Sequence, residues 1–183
     1  MNVTSLKCQC GAVRLEVTGK HIISVECYCD SCRKAGAQFE SLPGAPTVLE
    51  PNGATRFVLQ RKDRTHCALG AEHLREHWLT PRATTRRVVA SCCNTPMFLE
   101  FVRGHWLSLY GRRYPVDSLP PLEARTMTSD VEGLVLPDDV PNGKTQPASF
   151  MFKLLGAWIS MGFRVPPVTF VNGALEGSAA RVD

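Results

Sequence analysis

The sequence predicts a mainly β protein of short antiparallel strands with a C-terminal helix, and three observations predict it. Short strand-like runs, the first two of them alternating apolar and polar residues, recur over the first two-thirds of the chain, separated by turn residues. One longer stretch near the C-terminus is apolar almost all round a helical wheel. Seven of the eight cysteines gather in tight clusters near the ends of the expected strands, and Cys67 lies alone between them.

The elements follow in order. Val13, Leu15 and Val17 alternate with Arg14, Glu16 and Thr18, and Gly19-Lys20 turns the chain. Ile23, Val25, Cys27 and Cys29 then share one face, opposite Ser24 and Glu26. These two runs are expected to pair as a hairpin, with cysteines gathered at one end of it. Residues 33–55 are rich in Gly36, Pro43, Gly44, Pro46, Pro51 and Gly53, and read as loops with a short strand near Thr47–Leu49. Arg56–Gln60 is a strand. Residues 66–78 fit two descriptions, because Gly70 interrupts them while Ala71–Trp78 fits a short helix with His73 and His77 on one face. Arg86–Ser91 and Met97–Val102 read as strands flanking a Cys92-Cys93 turn, and Trp106–Tyr110 as one more.

Residues 115–147 carry six prolines and few periodic apolar positions, as expected of an extended surface segment. Ala148–Phe163 reads as the helix, with only Ser149, Lys153, Gly156 and Ser160 forming a polar or small stripe. Such a helix is expected to be buried against the same protein or a second copy of it. The chain thus divides into a metal-binding β domain over 1–115, a proline-rich segment over 116–147, and a helix with its tail over 148–183.

At 183 residues the chain can bury a core without relying on metal for all of its stability. Its net charge of +4 points to neither nucleic acid nor membrane. The first residues lack the apolar run of a signal peptide, and no uncharged stretch is long enough to span a bilayer. The expected compartment is therefore the cytoplasm, where clustered thiols stay reduced and serve metal or catalysis more often than disulfides.

The cysteines fall into unequal groups. Cys27, Cys29 and Cys32 are three thiols within six residues with no fourth ligand nearby in sequence. Three protein ligands leave a metal a position for water or substrate, as catalytic zinc sites do. Cys8 and Cys10 offer two ligands, and Cys92 and Cys93 one or two more, which suits a closed structural site. Adjacent strand side chains diverge, so Cys67 or His66 is an alternative fourth ligand to Cys92.

The stretches Cys8-Gln9-Cys10-Gly11, Cys27-Tyr28-Cys29-Asp30-Ser31-Cys32-Arg33 and Cys93-Asn94-Thr95-Pro96 resemble the glutathione-dependent formaldehyde-activating enzyme family, also called the centromere protein V type. The resemblance covers about residues 5–115; in the late motif Ala90 stands where that family has a cysteine and Asn94 where it has glycine. It implies a β-tent fold of short antiparallel sheets and two zinc ions. The structural one would sit on Cys8, Cys10, Cys93 and, by compensation, Cys92; the catalytic one would sit on Cys27, Cys29 and Cys32. It further implies a carbon–sulfur lyase whose thiol substrate is glutathione and whose aldehyde is formaldehyde. Arg33, next to the triplet, would meet the substrate's charged groups, with Arg61, Arg64, Arg86 and Arg87 as further candidates. The competing expectation is a zinc-stapled binding module for protein or nucleic acid. No basic motif interleaved with aromatics supports the nucleic-acid version. A homodimer through the C-terminal helix is the remaining partner expectation.

Overall fold

The computed structural model describes residues 3–131 and 133–180. Ten strands form two sheets. The smaller holds β1 (Val3–Lys7), β2 (Arg14–Thr18) and β5 (Thr65–Leu69) in the order β1-β2-β5. The larger holds β3 (Ile23–Cys27), β4 (Thr55–Arg61), β6 (Leu74–His77), β7 (Thr85–Ala90), β8 (Thr95–Phe101), β9 (Trp106–Tyr110) and β10 (Ala124–Thr126). Its order is β10-β3-β4-β9-β8-β7-β6, antiparallel throughout except where β10 runs parallel to β3. Two helices complete the fold: α1 (Asp30–Glu40) and α2 (Ala148–Ser160). The mainly β architecture with a C-terminal helix is the one the alternation patterns dictate.

Strand alternation feeds two cores. Leu15 and Val17 of β2 pack with Leu6, Val88, Phe98, Leu107 and Leu109 between the sheets. Ile23, Val25, Phe57, Leu59, Val89 and Leu99 pack on the opposite face, under Phe39 of α1 and Leu154 of α2. Full burial of each such side chain is worth about 1.5–3 kcal/mol. The expected hairpin of β2 with β3 does not form, because the two strands serve different cores. The chain turns at Gly19, where φ is +71°, and β2 joins β1 and β5 while β3 joins β4 and β10.

Three other expectations are corrected. The stretch read as loop from residue 33 opens with α1, whose buried face is Cys32, Ala35, Gly36 and Phe39. Gly36 there is a packing residue: a Cβ on it would lie 2.3 Å from Leu49. The strand expected near Thr47–Leu49 is reduced to a single bridge between Leu49 and Thr55. The helix proposed over Ala71–Trp78 is a single 3₁₀ turn, Ala71–His73, followed by β6, so His73 and His77 share no helical face. Pairing of Leu74 and His77 with Ala90 and Arg87 of β7 overrides the local preference.

Beyond β9, the proline-rich stretch contributes β10 as an edge strand. Buried Arg125 fastens it, donating to Glu26 Oε2 at 3.1 Å and to Asp139 Oδ1 at 2.7 Å. The tail beyond α2 runs along the free edge of β6, where the Asn172 amide donates to the Leu74 carbonyl and the Leu175 amide to that of Glu76. Helix α2 is less buried than its composition predicts. Leu154 enters the core and His105 Nε2 meets the Leu154 carbonyl at 2.9 Å, while Phe152 is 71% exposed. No helix among the described residues is long and apolar enough to cross a membrane.

Candidate metal centres

Two turns make the first cluster. Cys8 and Cys10 lie in the β1–β2 turn, which bends at Gly11 with φ +79°, and Cys92 and Cys93 lie in the β7–β8 turn, which bends at Asn94 with φ +51°. Asn is among the few residues besides glycine that accept this left-handed backbone. The four sulfurs lie within 4.8 Å of one another, with Cys8–Cys10 at 3.6 Å, Cys10–Cys92 at 3.5 Å, and Cys8–Cys92 and Cys92–Cys93 at 3.9 Å. A tetrahedral ion with metal–sulfur bonds of about 2.3 Å requires sulfur–sulfur edges of about 3.8 Å. The observed separations bracket that edge and are far beyond the ~2.05 Å of a disulfide. This cluster can hold a metal ion with no position left over.

The vicinal pair fits because both its members stand in a turn, where side chains do not alternate as they do in a strand. Cys67 and His66, the alternative ligands, are on β5 and stand apart: Cys67 bonds the Leu69 carbonyl and His66 faces Glu16. The surroundings favour thiolate unequally. Burial raises Cys8 and Cys92. Cys93 is also penalised by burial, but hydrogen bonds, first from Thr95, bring it down to about 7. The Val13 amide donates to Cys8 Sγ at 3.2 Å.

The second cluster is built at the β3–α1 junction. Cys27 ends β3, Cys29 is the N-cap residue of α1, and Cys32 lies in its first turn, where its amide donates to the Cys29 carbonyl at 3.0 Å. All three sulfurs lie within 4.8 Å of one another. Hydrogen bonds from Cys27 and Cys32 drive Cys29 far below its ordinary value. The same contact with Cys29 pushes Cys27 up to about 11, and contacts with Cys27 and Cys29 raise the buried Cys32 further. The three therefore hold one negative charge when two protons are shared among them. A divalent ion that replaces those protons leaves the same net charge on the site.

A buried cation holds the turn between Cys29 and Cys32. Arg87 is 1% exposed, has no carboxylate partner among the described residues, and donates from Nη2 to the Ser31 carbonyl at 3.0 Å, inside the Cys29–Cys32 turn. Its Nε and Nη1 make no hydrogen bond. Buried charge is costly unless it is offset, so a site of net charge −1 alongside fits Arg87. Two of the other arginines expected near the metal are committed elsewhere: Arg61 to Asp63 and Ser160, and Arg86 to Glu76 and Glu100. Arg33 is on α1 directly after Cys32, with Nη1 3.3 Å from the Asp130 carbonyl and half exposed. His77 is buried against Phe39, and burial followed by the charge of Arg87 lowers its pKa. Tyr28 is buried with its hydroxyl on Glu26.

Sequence reasoning missed what lies next to the triplet. Cys27, Cys29 and Cys32 form one wall of a cavity of about 480 Å³, whose other walls come from β4, β8, β9 and α2. Its residues are scattered from Val25 to Leu154, so no local motif could have announced it.

Fold and site together define a mainly β protein with one four-cysteine and one three-cysteine cluster, each able to hold a metal ion. By a family match over residues 1–111, the chain belongs to a family of unknown function, DUF6151. No match was found among curated proteins. Among solved structures, a Rhodobacter sphaeroides protein is similar at 18% identity over 75% of this chain and 98% of its own, with a TM-score of 0.45. That superposition is too loose to carry an argument.

Proposed function

We propose that the protein holds two zinc ions, one structural on Cys8, Cys10, Cys92 and Cys93 and one on Cys27, Cys29 and Cys32 that takes a substrate thiol, and that it makes or breaks a carbon–sulfur bond between that thiol and an aldehyde. The observation that carries this reading is the asymmetry of the clusters. Four sulfurs lie at tetrahedral spacing in one cluster, whereas three sulfurs line a cavity with no fourth protein ligand among the described residues. All-thiolate sites without redox duty favour zinc. The motif resemblance supports the same division.

Zinc at the triplet would supply positive charge that favours the thiolate form of a bound thiol near neutral pH. The reaction itself needs no oxidant. Sulfur adds to the aldehyde carbon, the carbonyl electron pair moves to oxygen, and the proton lost by the thiol ends on that oxygen; cleavage runs in reverse. The chain's own groups brace the triplet: Ser31 Oγ lies 3.3 Å from Cys29 Sγ, and Arg87 Nη2 donates to the Ser31 carbonyl at 3.0 Å. Arg33 follows the triplet on α1, half exposed, with its guanidinium on the Asp130 carbonyl.

The test is metal content with Cys29→Ser. The variant is expected to fold, to keep one zinc ion, and to lose thiol binding by calorimetry and adduct formation with ¹³C-formaldehyde by NMR. Loss of the fold in Cys29→Ser would make the triplet structural and remove the basis of the enzymatic reading.

A further inference from the structure

We propose that the thiol taken by this site carries an apolar substituent the size of one or two aromatic rings, and that the cavity beside the triplet is its binding pocket. The proposal rests on the reading of Cys27, Cys29 and Cys32 as an open thiol site.

The cavity has the dimensions for it. Its volume of about 480 Å³ falls in the ~300–1,000 Å³ range of small-molecule pockets. Its lining is predominantly apolar and includes Phe57, Leu99, Phe101, Trp106, Phe150 and Leu154. The polar groups between them are neutral, such as Ser108, Thr126 and Gln146. Among the described residues, no charged side chain lines it apart from what the cysteines carry.

That chemistry discriminates among thiols. A peptide thiol such as glutathione brings two carboxylates and an ammonium, and each would lose water without gaining a partner of opposite charge inside this pocket. Arg33 does not line the cavity, and Arg87 is sealed against Ser31 and Tyr110 in the core. An aryl or alkyl thiol loses nothing on entry and buries its apolar surface against the aromatics. With its sulfur at the cysteine wall, its body extends toward Trp106 and Phe150.

The pocket's roof gives the chain its own selectivity. Phe150, Met151 and Leu154 belong to α2, outside the residues 1–111 that define the family match. Leu154 is anchored through its carbonyl to His105, which fixes the roof over the site. The apolar helix thereby acquires an inward role, although most of its surface faces outward.

Calorimetric titration of the metal-loaded protein with phenylmethanethiol, glutathione and toluene tests the proposal. Phenylmethanethiol is expected to bind about tenfold or more tightly than glutathione, the gain from burying one ring. It should also bind tighter than toluene, which has the ring without the sulfur. Met151→Lys, a half-exposed roof position, places an ammonium at the pocket and should weaken phenylmethanethiol about tenfold while leaving the melting curve in place. Glutathione binding as tightly as phenylmethanethiol would overturn the apolar class and leave the thiol site standing. Toluene matching phenylmethanethiol would overturn the thiol site itself.

Discussion

Replacing Cys8 by serine separates the two roles assigned to the cysteines. Cys8 and Cys92 lie 84 positions apart in sequence with their sulfurs 3.9 Å apart. A metal link between them closes a loop of that length, and the chain-entropy relation for a cross-link of this span gives about 4.6 kcal/mol. That is a large share of the ~5–15 kcal/mol that holds a typical domain. The melting temperature of Cys8→Ser is therefore expected to fall by roughly 9–18 °C. Cys29→Ser opens a link spanning only the turn from Cys27 to Cys32, for which the same relation gives about 2 kcal/mol and roughly 4–9 °C. Thermal unfolding by circular dichroism at equal zinc, with metal counted on the same samples, makes the comparison. Each variant should lose one ion. If Cys29→Ser melts as low as Cys8→Ser, the division into a staple and an open site is wrong.

Three further outcomes follow from the packing. Glu100→Gln leaves Lys62 and Arg86 without the carboxylate they meet at 2.5 and 2.6 Å in the interior, and should cost about 3–5 kcal/mol in urea unfolding. Gly70→Ala meets two obstacles, a φ of +74° and the Ala12 carbonyl oxygen 2.1 Å from the new Cβ, so it should cost roughly 2–5 kcal/mol and disturb the adjoining Cys8–Cys10 turn. His105 governs the docking of α2 with pH. Burial, with Lys62 and Arg61 nearby, holds its pKa below the ordinary value of about 6.5, so the unfolded state takes up the proton first. Its contribution is full above that value and is lost as pH falls from it toward the folded pKa. Fluorescence of Trp158, which stacks on His105 at 5.7 Å, should report α2 loosening over that window, and His105→Gln should flatten the response.

Much of this structure is written locally in the chain. β2 alternates, while β4, β7, β8 and β9 are short apolar-rich runs bounded by turn residues, and each forms close to where the sequence places it. What escaped was set by tertiary partners. β1, β5 and β10 are short and carry polar residues on at least one face, so pairing decides their state more than composition does. Gly36 reads as a helix breaker until Leu49 is seen packed against it. β2 and β3 look like a hairpin because alternation fixes which residues share a face but not which core that face meets. The cysteine clusters were legible from spacing alone. The vicinal pair looked doubtful only under strand geometry, which the turn ending at Asn94 does not obey. The cavity was out of reach, since it is assembled from side chains more than a hundred residues apart.

Metal-counted native mass spectrometry of the protein as purified tests the central claim most directly. Two zinc ions per chain are expected, with the one on Cys27, Cys29 and Cys32 released by a weak chelator while the β signal in circular dichroism persists. A single ion per chain that cannot be removed without unfolding the protein would contradict the account.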